Sequence, residues 1–208
     1  MGVVYAVLLA FVVVIAWQQF DDARKDADHE ATVLTAMYRN ADALEGAGPD
    51  ARPAIRDYVR LVADREWDKM ATFHRQDLAA DRALGAVWTA FRAIEPRTKS
   101  DEAFYDQAVS SLNDATELRR ERIATSGREL PTAMWGMLII GGIISIGFTY
   151  FFGVSSFAAQ ALMVGALAAL VGLVLSLILA LDLPFTGSVG VGPDAMHDAL
   201  REFTLISS

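Results

Sequence analysis

Few residues in this chain are placed to do covalent or metal chemistry. Its three histidines, His29, His74 and His197, lie far apart, and none sits in a His-x-x-x-His or Glu-x-x-His pair. A helix therefore offers no ligand set for zinc or a di-iron centre, and no metal is expected. Gly187, Gly190 and Gly192 form a glycine-rich run, but no lysine follows in phosphate-loop spacing, so it reads as a turn-rich tail. There is no Gly-x-Ser-x-Gly elbow for a serine nucleophile. Glu66 beside Trp67, and the arginines around Glu121, are the only candidates for acid–base work on a lipid; at helical spacing such residues read as solvated or helix-packing. With no cysteine, disulfide and thiol chemistry are absent too. The expectation is a non-enzyme that needs no cofactor.

What remains is small, weakly polar or apolar. Ala168, Gly172, Ser176 and Ala180 recur every four residues, as do Gly141, Ser145 and Thr149. Small-xxx-small faces let membrane helices approach closely, and Gly141, Ser145, Thr149, Ala168, Gly172 and Ser176 are read first as helix-packing candidates; the other reading is a pore or cavity wall. Near the N-terminus Tyr5, Leu9, Val12, Ala16 and Gln19 share one helical face, apolar with polar ends, suited to lipid contact or to a hydrophobic constriction.

The elements that carry these faces follow from where charge is missing. The chain has 208 residues, 53% of them hydrophobic, and a net charge of −8. Residues 1–20 contain no Asp, Glu, Lys or Arg, and neither do the 52 residues 130–181. The stretch 21–129 holds 17 basic and 22 acidic residues, and the tail 182–208 one basic and four acidic. About 20 residues of helix cross a bilayer core. Residues 1–20 therefore make one span, and 130–181 make a two-helix hairpin, with spans at 132–152 and 160–181 about a turn at Gly153–Ser156. Trp17 and Trp135 stand where interfacial aromatics belong. The first segment lacks a basic lead and a small-x-small cleavage site, so it reads as a span rather than a signal peptide. It begins within its own helix, and an earlier span is expected upstream. Arg24, Lys25, Arg119, Arg120, Arg122 and Arg128 flank the spans on the insert side, which places insert and tail in the cytoplasm. An acidic chain is a poor partner for nucleic acid.

The insert 21–129 reads as helices throughout. Ala27, Leu34, Met37, Tyr38, Ala41 and Leu44 continue the phase of the first span, so one long helix is expected to run on until Gly46–Pro49. A second helix after Asp50 turns Ile55, Tyr58, Val59, Val62, Trp67, Met70 and Phe73 inward. A third uses Leu84, Val87, Trp88, Phe91 and Ile94. A fourth, capped by Ser100 or Asp101, uses Phe104, Tyr105, Ala108, Leu112, Ala115, Leu118 and Ile123. Pro131 suits the first turn of the next span. The fold class is an all-α membrane protein with three spans and a helical soluble insert between the first and second.

Several stretches together resemble a known group. They are residues 4–11 running into Trp17–Phe20, Glu30 and Tyr38 on the next helix, Tyr58 with Glu66 and Trp67, Leu130-Pro131 with Trp135, and Asp182-x-Pro184-Phe185-x-Gly187 after the last span. The chain resembles the bestrophin-like family of bacterial membrane proteins, distant relatives of the bestrophin anion channels, over nearly its whole length. Glu66, Trp67, Asp182, Pro184, Phe185 and Gly187 are the family-motif residues. The resemblance implies four spans, of which the first is missing here, and a homo-oligomer, pentameric as in bestrophins, around a central pore whose narrow neck corresponds to Tyr5, Leu9, Val12 and Ala16. The bestrophin calcium clasp is not supported, because Asp182 is followed by no acidic cluster. The resemblance thus implies an ion channel of the bacterial inner membrane, in contact with lipid and passing inorganic ions, anions by analogy. An acidic vestibule would favour cations. The competing reading is a non-conducting sensor or scaffold built on the helical bundle.

Overall fold

The computed structural model describes residues 2–44, 48–150, 156–187 and 189–207. Among them the regular elements are all helical: α1 (Gly2–Ala43), α2 (Gly48–Leu61), α3 (Trp67–Phe73), α4 (Leu78–Arg92), α5 (Lys99–Ser126), α6 (Thr132–Thr149), α7 (Phe157–Asp182) and α8 (Asp194–Ile206). A π-helical turn, Val62–Glu66, joins α2 to α3. The expected turns at Gly46 and Gly153 fall outside the described residues, whereas Gly48 and Pro49 already belong to α2, which starts before the expected point after Asp50. Contacts group the chain into two units, Met1–Asp21 with Arg128–Gly190, and Asp22–Gly127 with Val191–Ser208. The tail helix α8 belongs to the second, with the insert.

The first unit holds the three helices long and apolar enough to cross a membrane, α1 by its N-terminal part, α6 and α7. Little of their surface is buried within the protomer. Val7, Phe11, Ile140, Ile143, Leu162 and Leu173 are all exposed, as expected of side chains whose solvent is lipid.

The second unit has a conventional core. α1 continues without a break into it, and Ala27, Leu34, Met37, Tyr38 and Ala41 are buried at helical spacing. Ile55, Tyr58, Val59, Met70, Val87, Phe91 and Leu112 on the other helices are buried as well. The interior is all-α because every apolar stripe repeats at the 3.6-residue period.

Local signals explain the ends. Asp77 caps α4 by accepting from the Ala79 N–H at 2.6 Å. α5 begins two to three residues earlier than expected. Thr98 is its N-cap, accepting from the Asp101 N–H at 3.1 Å, while the Asp101 carboxylate accepts from the Thr98 N–H at 2.9 Å. This is a capping box, so Asp101 serves from its third position and Ser100 is not the cap. Three further expectations need correcting. The second helix is not one α-helix but is interrupted by the π turn. Phe73 ends α3 exposed, because His74 turns into the left-handed region (φ 52°) and breaks the helical phase. On α5, Phe104 is exposed, and the turns after Ala115 bury Arg119 and Arg122 instead of Leu118 and Ile123.

Candidate functional site

The candidate site residues fall into three constellations, two in the spanning unit and one in the soluble unit.

The first is the face Tyr5, Leu9, Val12, Ala16 on α1. All four are buried within the chain, while Gln19, assigned to the same face, is exposed and Phe20 is buried in its place. The Tyr5 hydroxyl donates to the Leu138 carbonyl at 2.9 Å. Its ring lies against α6 at Gly141 and Gly142: a Cβ on Gly141 would come 2.7 Å from ring carbons of Tyr5, and one on Gly142 2.9 Å from its hydroxyl oxygen. Glycine is required there by close approach. The stripe on the other side of α1, Val7, Phe11, Val14 and Gln18, is exposed. Ser145 and Thr149 border an apolar groove of about 870 Å³ between α1, α6 and α7, which Leu9, Val13, Phe148 and Leu170 also line. On α7, Ala168 is half-buried, while Gly172 and Ser176 are exposed, with nothing near the Cβ position of Gly172. Only the α6 part of the small-residue pattern is filled by a neighbouring side chain of the same protomer.

The second constellation closes the hairpin. Asp182 ends α7 and is almost fully buried. Its carboxylate accepts from the Leu130 backbone N–H at 2.7 Å and from the Trp135 indole N–H at 3.2 Å. One carboxylate thereby fixes the chain entering α6, whose N-cap Pro131 has no side chain to satisfy it. Phe185 is buried nearby in sequence, Pro184 forms the turn, and Gly187 adopts φ 75°, a conformation that favours glycine. The motif residues after the last span are thus a structural clasp built from Asp182 onward.

The third is a buried ion-pair network. Arg122 on α5 donates from Nε to Glu30 Oε2 at 2.6 Å and from Nη2 to Glu30 Oε1 at 3.2 Å, on α1. The same Nη2 reaches Glu66 Oε1 at 3.1 Å, at the end of the π turn. Arg119 adds a second guanidinium to Glu66, with its Nε 2.9 Å from Oε1 and its Nη2 bonded to Oε2, and its Nη1 reaches Asp81 on α4 at 2.7 Å. Glu30, Glu66 and Arg122 are fully enclosed. Trp67, next to Glu66, lays its ring 4.7 Å from the Arg122 guanidinium and donates its indole N–H to the Val191 carbonyl at 2.9 Å. Five hydrogen bonds join the two guanidinia to the two carboxylates, three from Arg122 to Glu30 and Glu66 and two from Arg119 to Glu66, a geometry suited to arginine's fork.

Electrostatics in this cluster follow from burial opposed by pairing. Burial pushes Glu66 up, but the Arg119 hydrogen bond and the charges of Arg122 and Arg119 outweigh it and hold the carboxyl below its ordinary value. Burial pulls Arg122 down, and the Glu30 and Glu66 carboxylates overcome it, so the guanidinium is held charged. Tyr58 sits beside them, fully buried, its hydroxyl without a hydrogen-bond partner among the described residues; burial and then the Glu30 charge raise its pKa well above the ordinary value.

The arrangement binds and positions; it does not offer a nucleophile paired with a base. Among the described residues no group of three or more His, Asp or Glu side chains could hold a metal ion. Sequence reasoning named Glu66 and Trp67 but missed Glu30, Arg119 and Arg122 as a unit. The available signal was their position: Arg119 and Arg122 continue the buried phase of Ala108, Leu112 and Ala115 on α5.

Comparison with known proteins gives one finding of positive sign. The model of the Bestrophin-like domain matches residues 1–196. No curated protein matches the chain, and no solved structure does.

Proposed function

This chain belongs to the bestrophin-like family, and from that premise we propose that it forms a homo-oligomeric ion channel of the bacterial inner membrane, with insert and tail on the cytoplasmic side. The observation that carries the proposal is the exposed apolar stripe of α1. Tyr5, Leu9, Val12 and Ala16 are engaged against helices of their own protomer, so a neck built from α1 uses the stripe turned half a turn away, Val7, Phe11, Val14 and Gln18. Symmetry-related copies of that stripe form an apolar constriction, which gates by dewetting. The exposed Gly172 and Ser176 on α7 supply a close-packing face for an adjacent copy. With no acidic or basic residue in any span, selectivity is set at the mouth rather than in the neck. Arg24, Lys25, Arg120 and Arg128 remain as positive flanking residues for the cytoplasmic assignment, whereas Arg119 and Arg122 are consumed in the buried network.

The test is flux. Purified protein reconstituted in liposomes passes ions, and Phe11→Ala, on the exposed stripe, raises the flux by widening the constriction. If well-assembled oligomers pass neither anions nor cations, the channel reading fails. A single cysteine at exposed Lys99 that is labelled from outside intact cells would reverse the orientation and favour a sensor.

A further inference from the structure

A second site is written in the charges of α2 and α8. The chain is acidic overall, yet a groove of about 440 Å³ between these two helices is lined by Arg56 and Arg60 from α2 and His197, Leu200, Arg201 and Thr204 from α8, with no carboxylate among them. Arg52, Arg56 and Arg60 stand four residues apart on α2, so their side chains rise along one face. Arg52 is spent on Asp42, and it lines an adjoining cavity of about 340 Å³ together with Asp57.

The next two arginines are not spent. Arg56 is held by neutral groups. Its Nη2 donates to the Tyr38 hydroxyl at 3.1 Å and to the Phe203 carbonyl at 3.4 Å, and its guanidinium carbon lies 5.8 Å from the centre of the Tyr38 ring. That ring is stacked on Phe203, with centroids 4.1 Å apart and planes 6° from parallel. Arg56 is therefore held at the edge of the groove by uncharged groups, and no carboxylate pairs with it among the described residues. Arg60, one turn on and exposed, pairs with no carboxylate among the described residues. On the α8 side Arg201 pairs with Asp198, and His197 faces Asp64 at 3.5 Å. Two guanidinia without a carboxylate partner among the described residues, Arg56 and Arg60, thus face a cleft whose opposite wall carries Arg201, already paired with Asp198.

We propose that this groove binds a phosphate-bearing anion of at least two negative charges, with Arg56 and Arg60 as its principal ligands and Arg201 closing from α8. Guanidinium forks match the oxygens of a phosphate group bidentately, and a dianion neutralises the two uncompensated charges. The same chemistry is offered by a soluble phosphoanion and by an anionic phospholipid head group. The family match ends at residue 196, before His197, Leu200, Arg201 and Thr204, so the α8 wall is a feature of this chain beyond the matched domain. The proposal does not depend on ion conduction.

Calorimetric titration of the full chain in neutral detergent with inorganic pyrophosphate tests one source, and thermal protection in nanodiscs of phosphatidylglycerol against phosphatidylcholine tests the other. Arg60→Glu reverses an exposed charge without touching the core, and is expected to weaken the ligand at least tenfold, with Arg60→Lys retaining part of the affinity. Arg120→Glu, an exposed reversal on α5, is the control for diffuse charge and is expected to leave binding within about twofold. Binding seen only with pyrophosphate assigns a soluble ligand; Arg60-dependent protection seen only with phosphatidylglycerol assigns a lipid. The proposal is overturned if neither probe binds at physiological ionic strength, or if Arg120→Glu weakens binding as much as Arg60→Glu.

Discussion

The two units of this protein solve the same problem, holding helices together, with opposite chemistry. In the spanning unit the surroundings are as apolar as the side chains, so burying hydrocarbon gains little and close fit decides. Tyr5 lying over Gly141 and Gly142 is that fit, and its hydroxyl finds a backbone carbonyl rather than a charge. In the soluble unit water supplies a hydrophobic driving force strong enough to enclose charges: Glu30, Glu66, Arg119 and Arg122 are buried in a core that is mostly apolar. The difference teaches that paired interior charges sit where the hydrophobic effect can offset their desolvation, whereas the spanning unit buries a single carboxylate, Asp182, only at the end of α7 and satisfies it with N–H donors.

Breaking the network should produce the largest effect. Arg122→Met leaves Glu30 without its bidentate partner and Glu66 with one guanidinium fewer. Removing one side of a buried pair costs about 3–5 kcal/mol, which thermal unfolding of the micellar protein will read as a large fall in Tm. Arg122→Lys keeps the charge and loses the fork, and is expected to recover only part of the loss.

A smaller cost is expected in the spanning unit. Gly141→Ala places a methyl group against a tyrosine ring that is pinned by its hydroxyl, an overpacking worth about 1–3 kcal/mol. Gly172→Ala, where nothing lies near the new carbon, is the matched control and should leave protomer unfolding within about 0.5 kcal/mol of wild type. Equal losses from both would show that α7 packs through Gly172, as it would against a neighbouring copy.

Acid should distinguish the units again. Glu66 has a folded pKa below its unfolded one, so its contribution is fully present above the unfolded value, about 4.3, and is lost as pH falls through the folded value. Asp77 is held low by the Lys69 ammonium and the Ala79 N–H and adds in the same sense. Stability of the soluble unit measured between pH 7 and pH 3 is expected to decline at the acid end, and a Glu66→Gln variant should give a flatter curve. A wild-type curve as flat as the variant's would show that the pair contributes nothing to the pH dependence.

The smallest effect is expected at Tyr58. Its hydroxyl is buried without a hydrogen bond, and an unsatisfied polar group costs roughly 1–3 kcal/mol. Tyr58→Phe is therefore expected to be neutral or slightly stabilising, a sign opposite to that of every other core change considered, and denaturant titration would detect it as an unchanged or raised midpoint.

Much of this was legible in the chain. The spans were visible because runs of 20 and 52 residues without charge have one common explanation, and the long α1 because the buried phase of Leu9, Val12 and Ala16 runs on through Ala23, Ala27 and Leu34. Other features resisted for physical reasons. Periodicity identifies a face but not what it meets, and the stripe Tyr5–Ala16 looks the same whether a pore or a neighbouring helix lies in front of it. Arginine is read as solvated because it usually is, so the buried turns of α5 were hidden by the residue type that fills them. The Thr98 cap was hidden by Ser100 and Asp101, equally good capping residues one turn along, and only backbone geometry chooses among them.

By itself the sequence determined the class and the number of apolar spans within it, because these depend on composition along one dimension. Which carboxylate meets which guanidinium, which face of α1 is taken up inside the protomer, and that three arginines from two separated helices share one groove were decided only in three dimensions. Partners 92 residues apart, as Glu30 and Arg122 are, leave no local pattern, and their pairing exists only once the helices that carry them have packed.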